Sequence, residues 1–325
     1  MQASAVKPIK LSDHLYQLGT KRFPVYLSLG EQGMIIEGGT CGTAELIAAQ
    51  VAELGIDPER ISYLALTHTH ADHIGAVPRL RELWPHLRIL AGPIAAAILS
   101  SDNHLKEFRP ADRMIGKILL NEGLIQHMPP EAPQNAFQVD AVLEEGARID
   151  LGGGVVWHVL LTPGHSACHV SYFEQKEGVL AMGDMGGYLD PDLDIIWPNY
   201  FSSLEDYCLS IQKVAILPAK VAVLSHNGAV ALNQRPFLKQ TLDATMEYHF
   251  QLLERMAAGE NTEEICREQA QWVYGYAPIA SPKAIEFLCG LLCQNSRKAA
   301  LQRPGESLGW THQHSGEKSA MVMGV

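Results

Sequence analysis

The sequence has no apolar run of the roughly 18 residues that a membrane-crossing helix needs. Residues 1–12 carry no apolar stretch of the secretory-signal kind. Neither a membrane partner nor export is expected, and the cytoplasm is the expected location. None of the six cysteines (Cys41, Cys168, Cys208, Cys266, Cys289, Cys293) forms a Cys-x-x-Cys pair, which excludes a zinc ribbon or a thioredoxin-like motif. A chain of 325 residues needs no disulfides, so these thiols are expected to be reduced. A basic surplus is also missing: 25 Lys and Arg face 36 Asp and Glu, for a net charge of −11. Binders that track nucleic-acid phosphates are usually basic, so no nucleic-acid partner is expected. The charge reads as solubility. At 47% hydrophobic and 19% charged, the composition excludes disorder, collagen and coiled coil for the bulk of the chain. No internal repeat of solenoid length is present.

Histidine is plentiful, at 14 residues, and its placement carries the chemistry. Short strands are predicted at 14–18, 25–29 and 34–36, punctuated by Gly19, Gly30 and Gly33. A helix over 43–54 places Ile47, Val51 and Leu54 on one face, with Gly55 beyond it. A strand at 62–66, a helix near Ile74 that stops before Pro85, and a strand at 88–91 follow. Residues 98–137 read as a helical insertion, either a surface helix pair or a cap over a pocket. Strands resume at 155–161, 178–182 and 221–224. Ser202 and Glu205 predict a capping box ahead of a helix that uses Cys208 as a core residue. From about 232 the pattern is helical: 236–256, then a helix capped by Asn261 with Glu264, then one beginning at Ser281-Pro282. Cys289 and Cys293 share the buried face of the last. From 301 the chain is Gly-, Ser- and Gln-rich and is expected to be a disordered tail, His312 and His314 included.

The strongest signal is His68-Thr69-His70-Ala71-Asp72-His73, directly after a strand. Imidazole nitrogen and carboxylate oxygen are ligands of borderline and hard divalent metals. A turned segment sends His68 and His70 one way, and Asp72 and His73 another, so one loop can serve two neighbouring ions. Three more strands end on the same chemistry: 159–161 runs into Thr162-Pro163-Gly164-His165, 179–182 into Gly183-Asp184, and 221–224 into Ser225-His226. A lone His after a strand is weak evidence. Four strand ends bearing metal-ligand chemistry are much stronger.

This set resembles the metallo-β-lactamase-fold hydrolases, and Thr162-Pro163-Gly164-His165-Ser166 resembles the corresponding turn of their glyoxalase-II-like branch. The resemblance covers roughly residues 10–230. It implies an α/β fold, an αββα sandwich with a binuclear site at one edge and a C-terminal helical extension. It implies that His68, His70 and His165 bind a first metal, that Asp72, His73 and His226 bind a second, and that Asp184 bridges both. Asp72 and Asp184 are the implied catalytic residues: Asp72 orients the bridging hydroxide and Asp184 sets the metal separation. The last ligand departs from the common Gly-His-Gly form, standing here in Ser225-His226-Asn227-Gly228. Two divalent ions are implied, zinc first, with iron or manganese as alternatives. The implied domains are a catalytic unit over 1–231 and an extension over 232–300. The extension is similar in layout to that of the quinolone-signal response thioesterase, and it could narrow the pocket or make a homodimer contact.

The expected activity is metal-dependent hydrolysis of an ester-type bond in a small molecule: thioester, lactone or other carboxylic ester. His70, where flavo-diiron oxygen reductases usually carry Glu, argues against oxygen reduction. Asp184, where the cysteine-ligand β-lactamases carry Cys, argues against β-lactam hydrolysis. A diiron redox protein and a metal-binding signalling protein without turnover are the alternatives. Tyr188 reads as a surface tyrosine or as a hydrogen-bond donor to substrate. Cys168 and His169 read as structural, His169 as a support to a ligand. His86, His158 and His249 have no functional case, nor do His104 and His127 unless the insertion lines the pocket.

Overall fold

In the computed structural model, residues 6–131, 133 and 137–302 are described. Period-two alternation builds two sheets back to back. The first has seven strands in sequential order: β1 (Ile9–Lys10), β2 (Leu15–Gly19), β3 (Pro24–Leu29), β4 (Gly33–Ile36), β5 (Ile61–Ala65), β6 (Arg88–Ala91) and β7 (Ala141–Val142). It is antiparallel through β4 and parallel from there on. Between its strands lie helices α1 (Ala44–Glu53), α2 (Ala71–Ile74), α3 (Val77–Leu83), α4 (Pro93–Leu99) and α5 (Asp102–Asn121). The second sheet is built from β8 (Arg148–Asp150), β9 (Val156–Leu161), β10 (Val170–Glu174) and β11 (Val179–Gly183). A small hairpin follows, β12 (Tyr188–Asp190) with β13 (Ile195–Trp197), then α6 (Leu204–Ala215), then β14 (Val221–Leu224) and β15 (Ala229–Ala231). The six strands of the second sheet are ordered β15-β14-β11-β10-β9-β8.

Successive side chains of a strand point to opposite faces, and the core divides accordingly. Tyr26, Met34, Ile36 and Ala65 of the first sheet meet Trp157, Tyr172, Ala181 and Val223 of the second in the central layer. Val25, Leu27, Ile35 and Leu64 face the other way, against α1, α3 and α5. Leu180, Met182, Ala222 and Leu224 face outward from the second sheet, against α6 and three further helices: α7 (Phe237–Ala257), α8 (Thr262–Tyr276) and α9 (Pro282–Gln302). The result is an αββα sandwich. Its C-terminal helices continue the hydrophobic core of the second sheet, with Ile285, Cys289, Leu292 and Cys293 in one cluster with Tyr207 and Phe237.

Local details refine the sequence reading. The cap of α6 is Ser203, whose hydroxyl accepts from the Asp206 amide, not Ser202. Both serines satisfy the cap pattern, and the backbone turns one residue later. Asn261 caps α8, and Ser281 accepts from the Ala284 amide ahead of α9, as expected. Helix α9 runs through 301–302; the rest of the expected tail lies outside the described residues, His312 and His314 included. No helix among the described residues is long and apolar enough to cross a membrane.

Among the described side chains of α5, Asp112 is a buried ionisable group. Asp112 is 8% exposed and its Oδ1 has no hydrogen-bond partner. Burial raises its pKa to about 6, against hydrogen bonds from Cys41 that pull it down. A carboxyl whose folded pKa is raised keeps its proton longer in the native state, so stability falls as pH rises from the unfolded value towards about 6. Asp112→Asn is therefore expected to match the native chain near pH 4 and to exceed it by about 2–3 kcal/mol above pH 7. Thermal melts of both proteins across this range check it. A constant difference at all pH values would refute it.

Candidate metal centre

Four chain segments end at one edge of the sandwich. β9, β11 and β14 run in the same direction in the second sheet, and β5 arrives from the first. After β5 the chain is irregular up to His70, which is itself extended (φ −67°, ψ 154°), and only then enters the single turn of α2. That change of backbone separates the four side chains: His68 and His70 leave ahead of the helix, Asp72 and His73 from within it. Gly183 ends β11 at a register shift, with φ 60° and ψ −138°, a region essentially restricted to glycine. A Cβ there would lie 2.3 Å from His169 Nε2. Gly164 (φ 132°) fits equally closely, since its Cβ would meet the Tyr207 amide at 2.2 Å.

All seven candidate ligands come together. His68 Nε2 lies 3.0 Å from His70 Nδ1 and 3.2 Å from His165 Nε2, and the last two are 3.0 Å apart. Asp72 Oδ2 lies 3.4 Å from His73 Nε2 and 3.6 Å from His226 Nε2. Asp184 stands between the two groups: Oδ2 is 3.3 Å from His165 Nε2 and 3.5 Å from His73 Nε2, while Oδ1 is 3.5 Å from His226 Nε2. Tetrahedral ligation with bonds of about 2.0–2.2 Å places neighbouring donors about 3.3–3.6 Å apart. The carboxylate–imidazole distances have this spacing, and the three imidazole donors of the first group stand slightly closer, at 3.0–3.2 Å.

Proton bookkeeping gives the same result. His165 Nδ1 donates to the Asn199 carbonyl at 3.0 Å, and His226 Nδ1 to the Arg22 carbonyl at 2.8 Å. His73 Nδ1 meets the Glu37 carboxylate at 2.9 Å. Thr67 gives its hydroxyl proton to Glu37 at 2.9 Å, so at 3.0 Å it accepts from His68 Nδ1. In a neutral imidazole one nitrogen donates and the other accepts. These partners therefore fix bare Nε2 lone pairs on His68 and His165, aimed at one another with no proton between. Burial, then the neighbouring imidazoles, keep His68 neutral; His70 is exposed on its cleft side, yet desolvation of its ring, then His165, pushes its pKa down to about 3. Burial also lowers His165. At His73, burial is outweighed by Asp72, Asp184 and Glu37, which raise its pKa, and Asp184 and Asp72 raise His226 likewise. His73 Nε2 is nonetheless buried without a hydrogen-bond partner. The site presents unprotonated donors on His68, His70 and His165, and the positive charge that Asp72 and Asp184 favour at His73 and His226 is a charge that a divalent cation would supply in place of a proton. Three overlapping groups could each hold one: His68, His70 and His165; His68, His73 and Asp184; and Asp72, His73 and His226.

The sequence reading missed Glu37. It is 2% exposed, follows β4, and takes φ +77°. Its Oε1 accepts from Thr67 and from Ser225, and its Oε2 from His73. Nothing in the sequence marks it, since its partners are 30, 188 and 36 residues away. His169 supports the centre from behind: its Nδ1 donates to Thr162 at 2.9 Å and its Nε2 accepts the Asp184 amide at 3.1 Å. Tyr188 is buried, not a surface residue, and its ring centroid lies 5.5 Å from that of His226. Cys168 is buried at the cleft, within 3.4 Å of Ser166 Oγ and 3.6 Å of Thr69 Oγ1. His127 lines a separate cavity beside α1, not the centre. The His104 side chain lies outside the described set. His158 sits within β9, His86 meets the Pro58 carbonyl, and His249 is buried in α7, all outside the candidate ligand groups.

The model of the metallo-beta-lactamase superfamily matches residues 25–226, a span containing every candidate ligand. An atrochrysone carboxyl ACP thioesterase of Aspergillus fumigatus is 26% identical over 70% of this chain. A hydroxyacylglutathione hydrolase of Legionella pneumophila is 26% identical over 37% of it. The chain spans 57% of the first relative's length and 32% of the second's. A metallo-beta-lactamase family protein from Thermus thermophilus shares the fold, with a TM-score of 0.59 and 21% identity, over 90% of this chain and 96% of the other. The chain belongs to the metallo-beta-lactamase superfamily.

Proposed function

We propose that the chain is a binuclear metal-dependent hydrolase of carboxylic ester-type bonds, thioesters and lactones among them. The observation that carries this is the convergence of bare imidazole lone pairs on a point shared with Asp184. His68, His70 and His165 would hold one ion, Asp72, His73 and His226 the other, and Asp184 both; zinc suits this donor set best. Two such ions supply Lewis acidity and lower the pKa of bound water towards neutrality. The chain's own residues supply the geometry. The Asp184 carboxylate fixes the separation of the two groups. Asp72, with its side chain 19% exposed, is the most accessible carboxylate of the centre and can accept a hydrogen bond from an attacking water. Tyr188 stands at the cleft beside His226, where its hydroxyl can donate to a substrate oxygen. The ACP thioesterase and the hydroxyacylglutathione hydrolase among the relatives support acyl transfer to water.

Elemental mass spectrometry on protein purified without chelator or added metal is the test, with a panel of thioesters, lactones and aryl esters. About two zinc or manganese ions per chain are expected, together with a chelator-sensitive hydrolysis reduced by about 10³ or more when metal is removed. About two irons with oxygen uptake would favour the redox alternative. No metal after reloading would overturn the proposal.

A further inference from the structure

The metal centre opens into a cleft of about 540 Å³, within the range of small-molecule sites. Its two walls come from segments that share no strand with the centre. One is the insertion: Phe108, Met114 and Ile115 of α5. The other is the C-terminal region: Ile279, then Phe287 and Leu288 of α9. Phe287 is 67% exposed although it borders the cleft, and α9 has a buried side, Ile285 and Cys289, that its packing already satisfies. No lysine, arginine or glutamate lines the cleft among the described residues, and its carboxylates are Asp72 and Asp184 of the centre itself.

We infer that this cleft takes the acyl part of the substrate as an apolar, uncharged group, gripped between α5 and α9, and that Met114 and Phe287 set the preference. The inference rests on the proposed hydrolase reading only for what happens to the bond; the selection follows from the walls. A group lying between Met114 and Phe287 with its carbonyl at the centre covers apolar surface on both sides, and each buried methylene strengthens binding about threefold to fourfold. An acyl group with a terminal charge would be desolvated there without a partner. Phe287 gains the most, since bound ligand covers a side chain that is otherwise in water.

The test separates binding from turnover. Straight-chain methyl ketones are neutral, resist hydrolysis and carry a carbonyl at one end. Their affinities for the zinc-loaded full chain are measured by calorimetry from pentan-2-one to nonan-2-one. Affinity is expected to rise by at least about 30-fold over these four methylenes. Phe287→Asp and Met114→Asp, on opposite walls, are each expected to weaken nonan-2-one at least about tenfold and to flatten the series. Ile216→Asp, at an 85% exposed position outside the cleft, is expected to leave the series intact. A flat series, or an unchanged series in Phe287→Asp, would each overturn the inference. A length-dependent series in a protein that hydrolyses no ester would keep the inference and overturn the hydrolase reading. Ester hydrolysis with a flat series would do the reverse.

Discussion

His68→Ala is expected to lose metal and activity together: metal content falls from about two ions per chain to one or fewer, and kcat/KM for ester hydrolysis falls by at least about 10³. His68 is fully buried and belongs to two of the three groups able to hold an ion, so its removal weakens both positions. The two donors left in the first group, His70 and His165, do not complete a tetrahedral shell. Loss of fold is a separate effect and is read separately. In the metal-free chain the variant removes one of the facing lone pairs, so its metal-free melting temperature changes little beyond the cavity term. The large change is in the metal-induced rise of the melting temperature, which reports binding to the native state alone. His158→Ala, on β9 and outside the candidate ligand groups, is the control. Full metal content and activity in His68→Ala would remove the basis of the assignment.

The legible parts of this chain are those whose information is local. Period-two runs ending in Gly-Asp, Pro-Gly-His or Ser-His announce a strand and what stands at its tip. Three candidate ligands, Asp184, His165 and His226, stand at those tips and the other four follow β5, because strands such as the parallel neighbours β11 and β14 must end at the same edge. The caps of α8 and α9 are legible for the same reason. What is not legible depends on contacts between distant segments. Tyr188 looks exposed in a polar stretch, yet the hairpin β12–β13 folds it against His226 and Tyr276. The insertion offers a helix pair or a cap. It contains the end of α4 and all of α5, and α5 lines the cleft, a fact that no periodicity within it could give. Glu37 is the extreme case: a single acidic residue between an apolar strand and two glycines, whose role exists only once β4 and β5 are paired and the end of β14 in the other sheet is brought against them.

Glu37→Gln is expected to keep the fold and lose one of about two ions, with hydrolysis reduced about 10–100-fold or more. The carboxylate accepts three hydrogen bonds, from Thr67, Ser225 and His73. Thr67 and Ser225 each precede a candidate ligand in sequence and His73 is one, so a single buried group aligns three stations of the centre. Gln has nearly the same shape but replaces one acceptor oxygen with an amide that only donates. If its oxygen stays with Thr67 and Ser225, its NH₂ meets His73 Nδ1–H, and two donors face each other at a site where the wild-type distance is 2.9 Å. Relief comes from moving the His73 proton to Nε2, the atom that faces Asp72 and Asp184. A protonated Nε2 cannot ligate, so the second ion is the one lost. Glu37→Ala goes further. It strands the Thr67, Ser225 and His73 donors in the interior and should cost about 3–5 kcal/mol. Relief of the positive φ is too small to offset this, because alanine at φ +77° is no better placed than glutamate. Metal stoichiometry and urea melts of the two variants separate positioning from stability. A Gln variant that binds about two ions with wild-type activity would show that Glu37 only fills space.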